Sequence, residues 1–490
     1  MKKKIIFITP PYHAGVVESA GRWMPLSFVY LAGIAREEGY EPVIYDAMTK
    51  QHTLKEIEET LRNISPDIVA VTSITATLPA ALDVLRCAKR IKPDTKTIIG
   101  GVHPTFCYED LFREHGDIID YIVCGEGELV LKNLLRAWKN GDPLDQVKGI
   151  AYVRDGKVIA PSHQPFLTNL DNIPTAWDLL DWEDYRYFVI PDSRLAAVST
   201  SRGCTHGCTF CSQQEFWKRT WRSRSPEAIV KEITYLNSQF GANVFLLTDE
   251  YPTLERERWN EFLDRLIFAD LGVYVLMETR VEDIVRDADI LWKYRKAGIV
   301  HIYIGVEATD QATLDVIQKE ISVEQSQEAI RLIHAHNMVS ETSFVLGFPW
   351  ETQESIERTL HLAQQYSPDF AHFLAITPWP YAPIYNDVKD SIVVHDYSKY
   401  NLVEPIIRPT NMTLEEVRKS IFLCYHKYYM KKAPQYFLIK DDFKREYLKR
   451  SLTLIMKNSF LTSMIREYAS GINFMGIHSS ASPVEEIVEK

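Results

Sequence analysis

The stretch Ser201-Arg202-Gly203-Cys204-Thr205-His206-Gly207-Cys208-Thr209-Phe210-Cys211 places three cysteines within eight residues. It follows a β-rich segment, Leu195 to Ser199, that begins a series of alternating strands and helices. The chain has only seven cysteines in 490 residues, and the other four, at positions 87, 107, 124 and 424, are isolated. Such a cluster predicts a loop that binds a metal centre or carries out redox chemistry.

The spacing of the three cysteines separates the possible kinds of centre. A structural zinc site needs four closed ligands, and the sequence has no second Cys-x-x-Cys. A redox Cys-x-x-Cys pair would leave Cys204 without a role. Three thiolates on one loop suit a cubane iron–sulfur cluster with one open iron that a small molecule can chelate. The cluster is the favoured hypothesis, and zinc or a redox or structural role remain alternatives.

Six β-rich segments separated by helical patterns follow the connecting region. Their spacing leaves room for a helix in each gap and predicts a TIM-type barrel or a partial (β/α)6 barrel, with its chemistry at the carboxyl ends of the strands. The expected strands are Leu195 to Ser199, Val244 to Thr248, Tyr274 to Met277, His301 to Val306, Glu341 to Leu346 and His372 to Ile376.

The first 140 residues form a separate series of the same kind. Five short apolar segments alternate with amphipathic helical patterns, which predicts a Rossmann-like or flavodoxin-like parallel sheet. The expected strands are Lys4 to Thr9, Pro42 to Tyr45, Asp67 to Thr72, Lys96 to Ile99 and Ile118 to Val123. Glycine-rich or polar loops follow these strands. The loops form one binding face or, alternatively, are ordinary turns between strand and helix. No Gly-x-Gly-x-x-Gly follows the first strand, which disfavours a dinucleotide.

The fold class is therefore α/β, with four regions. Residues 1–140 form the N-terminal domain, and 141–193 a connecting segment with a hairpin near Ile150 to Ile159. Residues 194–390 form the barrel, and 391–490 a helical C-terminal cap.

The composition excludes several classes of protein. The 55 Lys and Arg residues against 66 Asp and Glu give a net charge of -11 without a long basic block, so nucleic acid is not an expected partner. No apolar run is long enough for a membrane span, and no signal peptide is evident, so we expect a cytoplasmic protein. Seven cysteines, an odd number, disfavour a disulfide framework.

The cysteine loop, with Phe210 before its last cysteine, resembles that of the radical S-adenosylmethionine superfamily. The resemblance implies a [4Fe-4S] cluster on Cys204, Cys208 and Cys211 that binds S-adenosylmethionine and cleaves it to a 5′-deoxyadenosyl radical. It also implies S-adenosylmethionine contacts at the ends of the barrel strands, namely Phe210, Glu250 for the amino group, Arg280 for the ribose or carboxylate, Glu307 in a Gly-x-Glu element, and Gly347 in the turn near adenine.

A five-stranded α/β domain before such a barrel resembles the cobalamin-binding subgroup. The implied cobalamin contacts are Tyr12, Thr72, Gly100, Gly101, His103, Gly125 and Gly127. The chain departs from the Asp-x-His-x-x-Gly pattern of many cobalamin domains, because Asp46-Ala47-Met48-Thr49 occupies the comparable loop. The lower axial ligand of the cobalt is therefore open, with His103 as a candidate contact.

Within that subgroup, segments such as Gly101-Val102-His103-Pro104-Thr105-Phe106 and Thr377-Pro378-Trp379-Pro380 are similar to the anaerobic magnesium-protoporphyrin monomethyl ester oxidative cyclases. This resemblance implies oxidative cyclisation of a tetrapyrrole, with a small-molecule substrate and an external electron donor such as flavodoxin or ferredoxin. A cobalamin-dependent C-methyltransferase of a natural product or lipid is the alternative. A non-catalytic protein that binds a metal or cofactor is a more distant one.

Overall fold

The computed structural model describes residues 2–13 and 20–458 of the chain. The described residues form two compact units, each built around its own parallel sheet. The first unit consists of residues 2–12, Met24–Asp184 and Asp396–Ser398. The second contains His13, residues 20–23, Tyr185–His395 and residues 399–458.

A seven-stranded sheet in the order β2-β1-β3-β4-β5-β6-β7 forms the centre of the first unit. Strands β1 to β5 pair in parallel, and β6 is antiparallel to both β5 and β7. The parallel strands are short and mostly buried, as expected when helices cover both faces. The strands are β1 (Lys4–Ile8), β2 (Glu41–Tyr45), β3 (Ile68–Thr72), β4 (Lys96–Gly100), β5 (Tyr121–Val123), β6 (Ile150–Arg154) and β7 (Lys157–Ile159).

The parallel strands confirm the α/β prediction, and the expected hairpin forms as β6 and β7. The sequence did not indicate that this hairpin joins the sheet, where Ile150 lies opposite Val123. Gly149 makes the connection possible, because it has a φ of +80° and its carbonyl accepts a hydrogen bond from the Cys124 N–H at 2.8 Å. The hairpin thereby covers the edge of β5.

Helices pack on both faces of this sheet and enclose two hydrophobic cores. Ile57 and Leu85 belong to one core, and Phe28 and Leu134 to the other. The helices are α1 (Leu26–Glu37), α2 (Leu54–Ile64), α3 (Leu78–Ile91), α4 (Val102–Phe106), α5 (Tyr108–His115) and α6 (Gly127–Asn140).

The second unit contains six parallel strands in the order β8-β11-β12-β13-β14-β15, with two short strands, β9 and β10, beside them. Among the described residues, β8 and β15 each pair with one strand only, so the sheet is open and confirms the predicted partial barrel. The strands are β8 (Leu195–Val198), β9 (Ser201–Gly203), β10 (Trp221–Ser223), β11 (Val244–Leu247), β12 (Tyr274–Thr279), β13 (Ile299–Glu307), β14 (Val339–Leu346) and β15 (Phe370–Ala375).

The helices of the second unit follow its strands, and the last two confirm the predicted helical C-terminal region. The part of that region from 459 to 490 lies outside the described residues. The helices are α7 (Gln213–Phe216), α8 (Pro226–Phe240), α9 (Arg256–Ala269), α10 (Val281–Arg286), α11 (Leu291–Lys296), α12 (Gln311–Val316), α13 (Val323–Ala335), α14 (Gln353–Tyr366), α15 (Tyr385–Val388), α16 (Leu414–Tyr436) and α17 (Asp442–Asn458).

Helix α17 lies against the amino-terminal ends of the barrel strands. Lys444 Nζ lies 2.7 Å from Asp369 Oδ2, immediately before β15, and donates to the Met338 carbonyl at 2.7 Å. Phe443 stacks on Tyr274, with ring centroids 5.1 Å apart. Because functional groups of such barrels gather at the opposite end, α17 leaves the carboxyl ends open for a site. No helix within 2–13 and 20–458 is both long and apolar enough to span a membrane.

Candidate active site

A pair of short antiparallel strands, β9 and β10, closes the base of the cysteine loop. Gly203, which ends β9, lies opposite Trp221. Gly203 has a φ of +95°, and a Cβ at this position would lie 2.1 Å from the Thr220 carbonyl oxygen. Only glycine allows the two strands to meet this closely, so its position fixes where the loop begins.

A side-chain brace holds the loop around its central cysteine. Gln214 Nε2 donates to the Cys208 carbonyl at 2.6 Å, and Arg219 Nη2 donates to Gln214 Oε1 at 2.8 Å. The Cys211 N–H donates to the same carbonyl at 3.1 Å. The backbone of the loop is thus fixed by groups other than the thiols, which leaves the sulfur atoms available as ligands.

The three cysteines are free thiols, of which Cys208 is buried and Cys204 and Cys211 are half-buried. Burial raises the pKa of Cys204 and raises that of Cys211 to about 12. Without a metal these two groups are therefore neutral at physiological pH. Binding of a metal centre would release their protons, since the thiolate is the ligand.

The chemistry of the donor set fits an iron–sulfur cubane. Across 2–13 and 20–458, no three His, Cys, Asp or Glu side chains converge closely enough to hold a single metal ion. Three thiols without a fourth protein ligand match a cluster that keeps one iron open. Zinc, which requires a closed tetrahedral set, does not match this arrangement.

Two buried cations, Arg280 and Lys319, lie beside the thiols. Arg280 Nη1 is 3.9 Å from Cys208 Sγ, and its Nη2 donates to the Lys319 carbonyl at 2.9 Å. Lys319 Nζ lies 6.0 Å from the centre of the Phe210 ring. Their positive charges would offset the negative charge that deprotonated thiols and inorganic sulfides bring to the site.

Sequence reasoning predicted Arg280 and Phe210 but missed Lys319. This lysine lies in the loop after α12, between Gln318 and Glu320, which have φ values of +52° and +56°. A left-handed residue on each side of Lys319 turns its side chain inward. No local sequence pattern predicts such a turn at residues other than glycine. The only available signal was its position shortly after the Gly-x-Glu element.

Glu307 binds Lys319 from the end of β13. Its Oε1 lies 3.0 Å from Lys319 Nζ, and its Oε2 accepts a hydrogen bond from Ser343 Oγ at 2.9 Å. A Cβ at Gly305 would lie 2.4 Å from Lys319 Nζ. The Gly-x-Glu element therefore has a physical explanation, because the glycine makes room for the lysine and the glutamate pairs with it.

The end of β11 supports the entrance of the cysteine loop. Asp249 accepts hydrogen bonds from the Thr200 N–H at 2.9 Å and from the Ser201 hydroxyl at 2.6 Å. Glu250 Oε2 accepts from the Gly203 N–H at 3.2 Å, and its Oε1 accepts from Trp217 Nε1 at 2.9 Å. Burial raises the pKa of Glu250. In this structure Glu250 thus holds the base of the loop.

Gly347 forms a rigid turn after β14. It has a φ of +86°, and its N–H donates to Glu351 Oε2 at 3.1 Å. Ser355 also donates to the Glu351 carboxylate. A Cβ at Gly347 would lie 3.2 Å from Val417 Cγ1 of α16. Gly347 therefore lies at the carboxyl end of the barrel, where its described contacts are with this turn and α16.

In the first unit, several of the predicted cofactor residues lie on loops after the parallel strands. Gly101 follows β4 with a φ of +108°, and a Cβ there would lie 2.4 Å from the Ser73 carbonyl oxygen and 3.0 Å from Thr72 Oγ1. A Cβ at Gly100 would be 3.5 Å from Val123. Close packing against the Ser73 backbone therefore explains Gly101, whereas the contact at Gly100 is an ordinary van der Waals distance.

Gly125 and Gly127 serve different purposes. Gly125 has a φ of +79°, its N–H donates to Thr105 Oγ1 at 3.0 Å, and a Cβ there would meet nothing within 4 Å. Gly127 begins α6, and a Cβ there would lie 3.2 Å from Leu31. Gly125 is therefore needed for its conformation and borders open space, while Gly127 allows α6 to approach α1.

His103 is buried at the start of α4, with only 1% of its surface exposed. Its Nδ1 lies 3.1 Å from Thr75 Oγ1, and its ring meets the edge of Tyr397 at 5.0 Å. Burial lowers the pKa of His103 to about 4, so the imidazole is neutral. Tyr12 also meets this late segment, because its hydroxyl donates to the Ser398 carbonyl at 2.8 Å. The segment Asp396–Ser398 therefore forms part of the surroundings of both predicted residues.

Two family models match this chain. The B12 binding domain matches residues 12–135, and the radical SAM superfamily matches residues 198–363. The anaerobic magnesium-protoporphyrin IX monomethyl ester cyclase of Rubrivivax gelatinosus is 40% identical over 463 residues, which are 93% of this chain and 83% of that protein. A protein of Pyrococcus horikoshii, named an uncharacterized methyltransferase, is 29% identical over 93% of this chain and 98% of its own length.

A solved structure shares the fold of both units. The cobalamin-dependent S-adenosylmethionine radical enzyme OxsB, with aqua-cobalamin and S-adenosylmethionine bound, aligns with a TM-score of 0.69. The alignment covers 96% of this chain and 75% of that chain, at 16% identity. At this identity the likeness concerns the fold, and it agrees with the α/β architecture described above.

Proposed function

We propose, on the premise that this chain belongs to the family of anaerobic magnesium-protoporphyrin IX monomethyl ester cyclases, that it closes the fifth ring of a magnesium porphyrin ester by oxidative cyclisation. The chain is a cobalamin-dependent radical S-adenosylmethionine enzyme with a [4Fe-4S] cluster, S-adenosylmethionine and cobalamin as its cofactors. The observation that carries the proposal is the extent of the match with the Rubrivivax gelatinosus cyclase, which takes in both units.

Cys204, Cys208 and Cys211 are the proposed ligands of the cluster. Bound cluster and S-adenosylmethionine together supply a 5′-deoxyadenosyl radical that removes hydrogen from an unactivated carbon. The protein holds the loop rigid through Gly203 and Gln214, so the ligands are arranged before the cluster arrives. Such preorganisation positions the reacting groups and limits the access of water.

The proposed S-adenosylmethionine contacts are divided between two kinds of group. Arg280 and Lys319 supply positive charge beside the thiols, where a carboxylate of the ligand would be attracted. Glu250 is the proposed partner of the amino group, Glu307 holds Lys319 in place, and Gly347 is assigned to the adenine side. For cobalamin we propose the carboxyl ends of β3, β4 and β5 and the segments that follow them, with Thr72, Gly100, Gly101, His103, Gly125 and Gly127, together with Tyr12.

The test is a product screen with the anaerobically reconstituted enzyme and magnesium-protoporphyrin IX monomethyl ester under reducing conditions. We expect 5′-deoxyadenosine to form together with a product that carries the additional ring. Formation of 5′-deoxyadenosine without any change in the porphyrin would disprove the assigned substrate. Failure to cleave S-adenosylmethionine after the cluster has been verified by its absorption would disprove the assigned chemistry.

A methyltransferase is the second candidate, because a relative named as one matches nearly its whole length to this chain. In that reaction cobalamin would deliver a methyl group to the substrate radical. The two reactions differ in their by-products, since methyl transfer forms S-adenosylhomocysteine and cyclisation does not. Measurement of both adenosyl products in the same assay therefore distinguishes them.

The electron donor and the compartment belong to the same proposal. The cluster needs a one-electron reductant, and we propose a small protein such as flavodoxin or ferredoxin. The test is whether the reduced carrier reduces the cluster under anaerobic conditions. All seven cysteines are free in the structure, which supports a reducing compartment such as the cytoplasm as the place of action.

A further inference from the structure

A polar network on three neighbouring barrel strands takes no part in the site described above. It consists of His301 on β13, Glu341 on β14 and His372 on β15. His301 Nε2 lies 2.7 Å from Glu341 Oε2, and His372 Nε2 contacts Glu341 Oε1. One carboxylate therefore contacts two imidazoles on the neighbouring strands.

The network faces the inside of the barrel. On β15 the neighbour Phe373 packs against Phe344 at 5.6 Å and against Tyr428 of α16 at 5.9 Å, so this side of the strand is the outer face. Side chains alternate along a strand, so His372 and Leu374 point to the other side. Both of these are half-buried, whereas the residues around them are buried. His372 and Leu374 therefore keep accessible surface on the inner face.

The two histidines differ in their second contacts. His301 is enclosed, because its Nδ1 lies 2.7 Å from the hydroxyl of Tyr447, which in turn binds the hydroxyl of Tyr187. This side of the network anchors α17, and its role is structural. His372 retains 23% of its side-chain surface, compared with 10% for His301, and within 2–13 and 20–458 its polar contact is with Glu341 alone. Anchoring of α17 does not require His372.

The hydrogen bond to Glu341 determines which nitrogen of His372 is free. Burial would raise the pKa of Glu341, but the two imidazoles hold it well below its usual range, so the carboxylate is ionised. An ionised carboxylate can only accept a hydrogen bond, so the ring hydrogen of His372 that faces it lies on Nε2. In the neutral imidazole the Nδ1 atom then carries a lone pair. A histidine oriented in this way by a carboxylate is the usual arrangement of a metal ligand.

We propose that Nδ1 of His372 binds the central magnesium of the tetrapyrrole substrate as its axial ligand, with Glu341 orienting the imidazole. This inference rests on the proposed function and names a specificity-determining residue for it. The four ring nitrogens of a magnesium porphyrin leave an axial position, which a neutral imidazole can occupy. The half-buried side chains of Val345 and Leu374 on the same face offer apolar contact to the macrocycle.

The experiment compares two porphyrins bound to the reconstituted enzyme without reductant, so that no turnover occurs. The probes are magnesium-protoporphyrin IX monomethyl ester and its metal-free form. Fluorescence titration gives the affinities, and magnetic circular dichroism reports axial nitrogen ligation. We expect the wild type to bind the magnesium form with an imidazole signature. His372→Ala should remove this signature and weaken binding of the magnesium form about tenfold or more, with the metal-free form unaffected.

Three further measurements make the result specific. Added imidazole should restore the signature in His372→Ala, because the truncated side chain leaves room for it. His372→Gln keeps a donor for Glu341 and therefore serves if His372→Ala fails to fold. Glu341→Gln should weaken binding of the magnesium form, because His372 loses the carboxylate that orients its ring. The matched control is His361→Ala, an exposed histidine of α14, which should behave as the wild type.

The outcomes separate this inference from the proposed function. If the wild type binds the magnesium porphyrin and both His372 variants keep its affinity and signature, the axial role is wrong and the proposed function stands. If the wild type binds neither porphyrin, the proposed substrate is wrong and the inference falls with it. Loss of the signature in both variants, with rescue by imidazole in His372→Ala, supports the inference.

Discussion

Lys319 Nζ and Glu307 Oε1 lie 3.0 Å apart, and both side chains are buried beside the cysteine loop. Three elements meet in this pair, because Glu307 ends β13, Lys319 follows α12, and Ser343 of β14 binds the second carboxylate oxygen. The pair also lies next to Arg280, which donates to the Lys319 carbonyl. The positive charge needed beside the thiols is thus held in place by an ion pair from within the barrel.

Removal of one partner of this pair should be more harmful than removal of both. Lys319→Met leaves the Glu307 carboxylate buried without a counter-charge, and loss of one partner from a buried pair costs about 3–5 kcal/mol. The double variant Lys319→Met/Glu307→Gln should recover part of that loss. Anaerobic urea denaturation of the two single variants and the double variant measures the coupling. Strictly additive effects would show that the pair is not coupled.

Cys204→Ala should yield a folded protein that lacks the iron–sulfur absorption and forms no 5′-deoxyadenosine. The reason is that the loop is braced by Gln214 and Gly203, so it does not depend on the thiol for its shape. Iron analysis and circular dichroism check the two parts of this expectation. Cys87→Ala, in α3 of the other unit, is the control and should keep its full iron content. An unfolded Cys204→Ala protein would instead favour a structural metal site.

Gly203→Ala should abolish cluster assembly, because its Cβ would lie 2.1 Å from the Thr220 carbonyl oxygen and its φ is +95°. Gly156→Ala is the matched control. Gly156 also has a positive φ, +74°, but nothing lies within 4 Å of its Cβ position. The control variant should lose only about 1 kcal/mol, from the backbone conformation alone. Equal cluster content in the two variants, measured by iron analysis, would contradict the importance of the close contact.

His103 should make the first unit sensitive to acid. Its pKa is lowered from 6.5 to about 4 by burial, so between these values the unfolded chain binds a proton that the folded chain excludes. Above about pH 6.5 this group therefore leaves the free energy of unfolding unchanged, and as the pH falls toward 4 that free energy decreases. The loss amounts to about 3 kcal/mol. Unfolding followed between pH 4 and 7 should show a shallower slope for His103→Gln, and an unchanged slope would refute the assignment.

Glu278 should have the opposite effect at higher pH. Burial raises its pKa from 4.5 to about 8, although its side chain keeps accessible surface on the inner face of β12. Between these values the folded protein holds a proton that the unfolded chain has released, so stability decreases as the pH rises. Glu278→Gln should therefore melt higher than the wild type, with the largest difference above pH 8. Glu215→Gln, an exposed residue of α7, is the control.

The sequence was sufficient to predict the elements that depend on local patterns. The parallel strands and the cysteine loop follow from alternation, spacing and turn residues, which act over a few positions. The Gly-x-Glu element at Gly305 and Glu307 could also be recognised from the sequence. Only the structure shows why the glycine is needed, because Lys319 occupies the space next to it.

The remaining features depend on contacts between distant parts of the chain. Lys319 is brought inward by left-handed backbone at two ordinary residues, and the His301, Glu341 and His372 network joins three strands through register. The antiparallel addition of β6 to β5 depends on an available sheet edge. None of these has a local signal, because the side chains involved are common in many environments.

The segment Asp396–Ser398, which contacts Tyr12 and His103, affects the order in which the first unit folds. Ser398, which accepts the hydrogen bond of Tyr12, is separated from it by 386 residues. When the ribosome has completed β7, the wall that Tyr397 provides beside His103 has not yet been made. A domain that folds during translation must therefore wait for this piece until the whole barrel sheet has been translated. The first unit begins its folding early and completes it late.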